Sequence, residues 1–164
     1  MARVLVVHHS PTRSLAALTE QVVAGANDPQ LDGVEVTVRA ALGTTAADLL
    51  AADGYVLGTS ANFGYMAGAL KHMFDSTFLQ IGGALDPSGA ADPSASGRTA
   101  GRPFGLYVHG RYDTVGAVRS VLAITGALGW KQGYDVLSVL GEPTVDDLEA
   151  GYTLGGTIAA LLGT

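Results

Sequence analysis

Apolar and polar positions along this chain predict strands and helices in regular alternation. Val4-Leu5-Val6-Val7 is a continuous apolar run that breaks into a hydroxyl-rich turn over His8 to Ser14. Leu15, Leu18, Val22 and Ala26 then recur at helical spacing. That helix is expected to stop in Asn27-Asp28-Pro29, because proline pushes the residue before it out of the α region. Val34 to Val38 alternates cleanly, as an edge strand with one wet face does. Thr44 to Ala52 reads as a short helix capped by Thr44 or Thr45, and Gly54 to Gly58 as a buried strand running into Thr59-Ser60-Ala61-Asn62-Phe63-Gly64.

Helical spacing resumes at Met66, Leu70, Met73, Phe74 and Thr77. Residues 82–101 are Gly, Ala, Ser, Asp and Pro with almost no large apolar residue, which predicts an irregular surface loop, long enough to imply a role or mobility. Phe104 to Val108 is a fourth strand, Val115 to Leu128 a helical face, and Tyr134 to Leu140 a fifth strand. A last helix opens at Thr144, where Thr144 and Asp147 match a capping box. Five strands alternating with helices imply a mostly parallel sheet covered on both faces, so residues 1–164 read as one domain. In such a sheet a ligand binds beyond the carboxyl ends of the strands. Three of those ends, 10–15, 59–65 and 109–113, carry small, polar or aromatic residues and are expected to converge.

Charge narrows the partners. Nine Lys and Arg against fifteen Asp and Glu give a net charge of −6, which argues against nucleic acid or an anionic membrane surface. An anion would have to bind in a local nest. The absence of cysteine excludes disulfides, thiolate metal sites and a Cys nucleophile. No stretch reaches the roughly 18 apolar residues of a membrane span and none reads as a signal peptide, so the expectation is a soluble cytoplasmic protein.

The first turn is the clearest candidate nest. Ser10, Thr12 and Ser14 offer hydroxyl donors, Arg13 a fork of N–H groups, and a helix starting near Ser14 aims its unpaired amides at the same point. The same residues also allow a plain structural reading, with Ser14 as helix cap and Pro11 closing the turn. Adjacent His8 and His9 face opposite sides of a strand and cannot share a metal, and no other spacing supports a metal site. His109, at a strand end, is the candidate proton donor.

Gly58-Thr59-Ser60-Ala61-Asn62-Phe63-Gly64-Tyr65-Met66-Ala67-Gly68-Ala69-Leu70-Lys71-His72-Met73-Phe74-Asp75 resembles a pattern of the flavodoxin-like superfamily. The nearer likeness is to its flavodoxin and NAD(P)H-dependent FMN reductase or quinone reductase branch. The opening Ser-Pro-Thr-Arg-Ser is similar to that family's phosphate loop, with Arg13 where flavodoxins often have glycine. The resemblance implies a three-layer α/β/α sandwich with a five-stranded parallel sheet in the order 2-1-3-4-5, and FMN at the switch between strands 1 and 3. It implies that Ser10, Thr12, Arg13, Ser14 and Leu15 hold the phosphate. Ser60, Ala61, Asn62, Phe63, Gly64 and Tyr65 would follow one edge of the flavin ring, and His109, Gly110, Arg111, Tyr112 and Asp113 the other.

Three function classes follow. One is a flavin enzyme taking hydride from NADH or NADPH and passing electrons to a quinone, a flavin or another small acceptor, for which the resemblance implies a homodimer as a common assembly. The second is an electron carrier serving a redox protein. The third is a non-redox binding module on the same fold. The mild net charge and the 82–101 loop favour the enzyme.

Overall fold

A computed structural model describes residues 1–92, 94 and 97–163. In chain order the elements are β1 (Ala2–His8), α1 (Arg13–Ala26), β2 (Val34–Ala40), α2 (Ala46–Ala51), β3 (Gly54–Asn62), β4 (Tyr65–Met66) and α3 (Gly68–Thr77). They continue as β5 (Pro103–Gly110), α4 (Val115–Ala127), β6 (Lys131–Gln132), β7 (Leu137–Leu140) and α5 (Val145–Ala160). A turn of 3₁₀ helix over Ala41–Gly43 leads into α2.

The sheet runs β2-β1-β3-β5-β6, with β7 also beside β5, and all of these pairings are parallel. That is the expected 2-1-3-4-5 order with two differences. The fifth position is filled by two short segments, because Gly133 to Val136 leave the ladder where Tyr134 to Leu140 was expected to be one strand. Gly133 and Asp135 are poor strand formers at an edge, and Gly133 lies under Ile158 of α5 and Leu161, the residue that ends it. The second difference is β4, antiparallel to the end of β3 through Ala61↔Met66 and Asn62↔Tyr65. It takes Met66 out of α3, which the spacing had placed there. β3 itself runs four residues past its expected end.

Both faces of the sheet are covered, which is why β1 reads as an unbroken apolar run. Val4, Val6, Val56 and Tyr107 pack under α1 and α5 with Leu15, Leu18, Leu154 and Ile158. Leu5, Val7, Tyr55, Leu57 and Leu106 face α2, α3 and α4 with Leu70, Phe74, Val121 and Trp130. β2 is the edge and is mostly exposed, as its alternation predicts. Among the described residues no helix is long and apolar enough to cross a membrane.

Caps set the helix limits. Thr12, not Ser14, caps α1, its Oγ1 accepting from the Leu15 amide at 3.2 Å. Thr45 and Thr144 close reciprocal capping boxes with Asp48 and Asp147. Thr44 instead donates to the Ala40 carbonyl. In the 82–101 segment, Leu85 and Ala91 form an isolated antiparallel bridge and Thr99 donates to the Ile81 carbonyl, so the loop is partly tied down. Its Pro93, Ala95 and Ser96 lie outside the described residues.

Arg102 clamps the end of the sheet opposite the strand carboxyl ends. The two hydrogens of its Nη1 are shared among four acceptors within reach, the carbonyls of Leu49 at 3.0 Å, Leu50 at 3.2 Å and Ala52, and the Tyr55 hydroxyl at 2.9 Å. These carbonyls are the unpaired ends of α2. Arg102→Met keeps the stem and is expected to cost about 1.5–3 kcal/mol through the lost charge-assisted bonds. Urea unfolding followed by fluorescence of Trp130, the one tryptophan, which stacks on Tyr55 at 4.0 Å, measures it.

Candidate functional site

The three expected turns do converge. The His9 amide donates to the Gly58 carbonyl at 3.0 Å, joining the first turn to β3. Ser60 pairs in register with His109, and a Cβ at Gly110 would lie 3.2 Å from the Cβ of Ala61, so the second and third turns touch as well. The site is therefore built on the ends of β1, β3 and β5, held rigidly by the centre of the sheet.

Within the first turn the side chains divide their roles. Pro11, Thr12 and Arg13 are exposed, Ser10 and Ser14 are half-buried, and Leu15 is buried in the core beneath. Thr12 Oγ1 accepts from the helix but keeps its own hydrogen for an anion. Arg13, the first residue of α1, enters no ion pair among the described residues. Ser10 turns inward. Its hydroxyl meets His8 Nδ1 at 3.0 Å and Thr19 Oγ1 at 2.8 Å, and Thr19 Oγ1 in turn meets the Tyr107 hydroxyl at 2.7 Å.

That polar chain was not anticipated from sequence. Tyr107 stands in the interior of β5 and is fully buried; burial pushes its hydroxyl well above the ordinary tyrosine value, against a smaller lowering by the Thr19 bond. Its ring lies over Gly58, where any Cβ would collide with it. A glycine inside a strand often marks such a close approach, and Gly58 was the available signal. His8 is shifted below the usual histidine value by burial first and by the neighbouring His9 second.

In the second turn, Ser60 is the informative residue. It is 7 % exposed, and its Oγ is the buried side-chain polar atom left without a hydrogen-bond partner among the described residues. Ser60 follows Val56 and Gly58 by even steps along β3, so it lies on the α1 side of the sheet. A buried hydroxyl without a partner costs roughly 1–3 kcal/mol unless a ligand satisfies it. The preceding Thr59 is spent structurally: it accepts from the Ala67 amide at 2.9 Å and so ties β3 to the start of α3.

Asn62 and Tyr65 close a two-residue hairpin through Phe63 and Gly64, with φ of 50° and 77°. This is the left-handed pair that a type I′ turn uses. Gly64 adopts it freely, whereas a phenylalanine there bears roughly 1–2 kcal/mol of strain. Phe63 is also 108 % exposed, so the strain is not offset by burial within the chain. Such an outlier is what ligand-binding turns carry. The hairpin rests on α4, where a Cβ at Gly116 would strike the Gly64 carbonyl and Ser120 Oγ accepts from the Met66 amide at 3.3 Å.

The third turn is partly committed to structure. His109 Nε2 donates to the Gly141 carbonyl at 2.6 Å, which binds β5 to the loop after β7. Asp113, just ahead of the α4 N-cap Thr114, accepts from the Val115 amide at 2.9 Å and so satisfies the first amide of that helix. Arg111 lies 5.5 Å from the centre of the Tyr112 ring, and Tyr112 is 84 % exposed. Arg111, Tyr112 and Asp113 are thus exposed at the tip of this turn, His109 is half-buried and Gly110 is buried beneath it.

Comparison with known proteins agrees with this geometry. No family model matches the chain. A flavodoxin of Aquifex aeolicus is 30% identical over 129 residues, covering 71% of this chain and 69% of that protein. Among solved structures, a flavodoxin from the domain Archaea superposes with a TM-score of 0.77 at 18% identity, over 99% of both chains. A WrbA-like flavodoxin of Agrobacterium tumefaciens gives 0.72 at 18% identity, over 99% of this chain and 98% of that one. The last two likenesses concern the fold; the first concerns the sequence as well. With the sheet order, the converging turns and this sequence relationship together, the chain belongs to the flavodoxin family.

Proposed function

We propose that the chain binds FMN at the three converging turns and works as a redox protein that passes electrons to a protein partner. The observation that carries this is the orphaned Ser60 hydroxyl, buried at the end of β3 on the side of the sheet where α1 begins. A phosphate there would accept from Ser60, from the Thr12 hydroxyl, from the Arg13 guanidinium and from the first amides of α1, a donor set suited to a dianion. The residues present therefore fit the cofactor.

When bound, FMN supplies the electron chemistry; the chain supplies grip, orientation and shielding. Phe63 and Tyr112, the exposed aromatics on the two turns flanking Ser60, are the side chains to pack on the ring, and the strain at Phe63 is balanced by that contact. Amides at the tips of the same turns, at Phe63, Gly64, Arg111 and Tyr112, are the donors for the ring's polar edge. Because these tips are exposed, one ring edge stays within reach of a partner.

A groove of about 420 Å³ between α3 and α4, lined by Gly64, Tyr65, Gly116 and Arg119, favours a second reading in which NADH or NADPH reaches the flavin directly. One experiment separates the two. The FMN-loaded protein is mixed anaerobically with each nicotinamide and its visible absorbance followed. Absorbance that stays unchanged for minutes, yet falls on adding a reduced flavoprotein reductase, is the expected carrier result. Bleaching by NADPH or NADH alone overturns it in favour of the reductase, and no yellow complex at all overturns both.

A further inference from the structure

The hydroxyl chain behind the first turn has only one sense in which every buried hydrogen is used. Tyr107 is fully buried and its hydroxyl meets only Thr19, so it donates there. Thr19 Oγ1 then gives its own hydrogen to Ser10, which leaves the Ser10 hydrogen to turn away from Thr19. The opposite sense would strand the Tyr107 hydrogen in the core, where an unpaired donor is costly. With the site empty, the half-buried Ser10 hydroxyl gives its hydrogen either to an unprotonated His8 Nδ1 or to solvent, and in the second case its oxygen accepts from Nδ1–H.

An anion at Ser10 changes this arrangement. Ser10 can turn its hydrogen to a phosphate oxygen only if its oxygen goes on accepting from Thr19 and the bond to His8 reverses. For that reversal His8 Nδ1 must carry the hydrogen. On this basis, which rests on the FMN reading above, we propose that Thr19 and Tyr107 are positioning residues that make phosphate binding at Ser10 conditional on a proton at His8 Nδ1. Ser10 keeps its own proton throughout. His8 meets this as the neutral Nδ1–H tautomer, its one hydrogen exchanging through solvent from Nε2 to Nδ1, and the change reverses on release. The other titratable groups around His8 are His9 on its own strand, Tyr107 through the relay, and Arg39, which precedes its β2 register partner Ala40 and is held by Asp48 at 3.5 Å. On the β3 side its register partner is Gly58, which has no side chain.

The test is the tautomeric state of His8, read from the ¹⁵N shifts of its imidazole at pH 7 in the intact protein. The expected result is an Nδ1 without hydrogen in a substantial part of the free protein, Nδ1–H throughout on saturation with FMN, and no change on adding riboflavin. Tyr107→Phe keeps the ring but frees the relay to reverse, so free His8 should then hold a proton on Nδ1 in more of the molecules. The preference for FMN over riboflavin should fall about five- to tenfold, because in the reversed molecules the Ser10 hydrogen is turned to Thr19 and one hydrogen bond to the phosphate is lost. Thr19→Ser should restore wild-type behaviour where Thr19→Val does not, and this pair decides the matter if Tyr107→Phe fails to fold. Strong FMN preference with an unchanged His8 overturns the relay alone. Equal affinity for FMN and riboflavin overturns the phosphate site and the relay together.

Discussion

An Arg13→Ala, Ser60→Ala double variant is expected to bind FMN about a hundred- to a thousandfold more weakly and riboflavin within about twofold of wild type. Each side chain contributes one charge-assisted bond to the phosphate, worth roughly 1.5–2 kcal/mol, so the pair accounts for about 3–4 kcal/mol. Riboflavin lacks the phosphate and loses neither. The choice of residues matters because neither change should harm the empty protein. Arg13 is exposed and enters no ion pair among the described residues, while Ser60→Ala removes a buried hydroxyl that has no partner. The free double variant should be as stable as wild type or slightly more so. Thr12 is a poorer probe: it caps α1, and Thr12→Ala would remove about 1 kcal/mol of helix stability whatever the ligand. Titrations of both flavins followed by quenching of flavin fluorescence measure the discrimination. A comparable loss for the two ligands would place the phosphate elsewhere.

The sheet order and the convergence of the three turns were legible in the sequence because both follow from long-range rules. Unbroken apolar runs such as Val4 to Val7 occur where a strand is buried on both faces, and the right-handed crossover then fixes where the strand ends gather. The clean alternation of Val34 to Val38 likewise marked the edge strand. What failed were details set by side-chain space. The fifth strand is interrupted between Gln132 and Leu137, and nothing in Tyr134 to Leu140 announces that break.

The candidate residues lie at the strand ends where the pattern puts them, but the contacts they make were not legible. Ser10, Ser60, His109 and Asp113 all sit where the pattern puts them. Their work depends on partners distant in sequence: Thr19 and Tyr107 for Ser10, Gly141 for His109, the Val115 amide for Asp113, and none within the described residues for Ser60. A polar residue at a strand end gives no local sign of whether it faces a ligand or a carbonyl. Tyr107 shows the same limit from the other side, since a tyrosine in an apolar strand reads as an ordinary core residue until Gly58 is seen beneath its ring.

Gly155→Ala is expected to destabilise the protein by about 2–4 kcal/mol, although helix propensity alone would make the change favourable by roughly 1 kcal/mol. The reason is the way α1 and α5 meet. A Cβ at Gly155 would collide with the Val22 carbonyl and lie 3.0 Å from the Ala26 amide nitrogen, and one at Gly25 would collide with the Tyr152 carbonyl. These obstacles are backbone atoms, so no rotamer change relieves them and the helices must move apart. Gly126 in α4 provides the opposite case: a Cβ there meets nothing within 4 Å, and Gly126→Ala should gain about 0.5–1 kcal/mol. Urea unfolding of the two variants, followed by Trp130 fluorescence, should therefore shift in opposite directions. If both gain stability, the two helices are not in backbone contact. The same displacement reaches the site, because α1 begins at Arg13 and carries Thr19. Gly155→Ala should thus weaken FMN more than riboflavin while lying on a helix that forms none of the three turns.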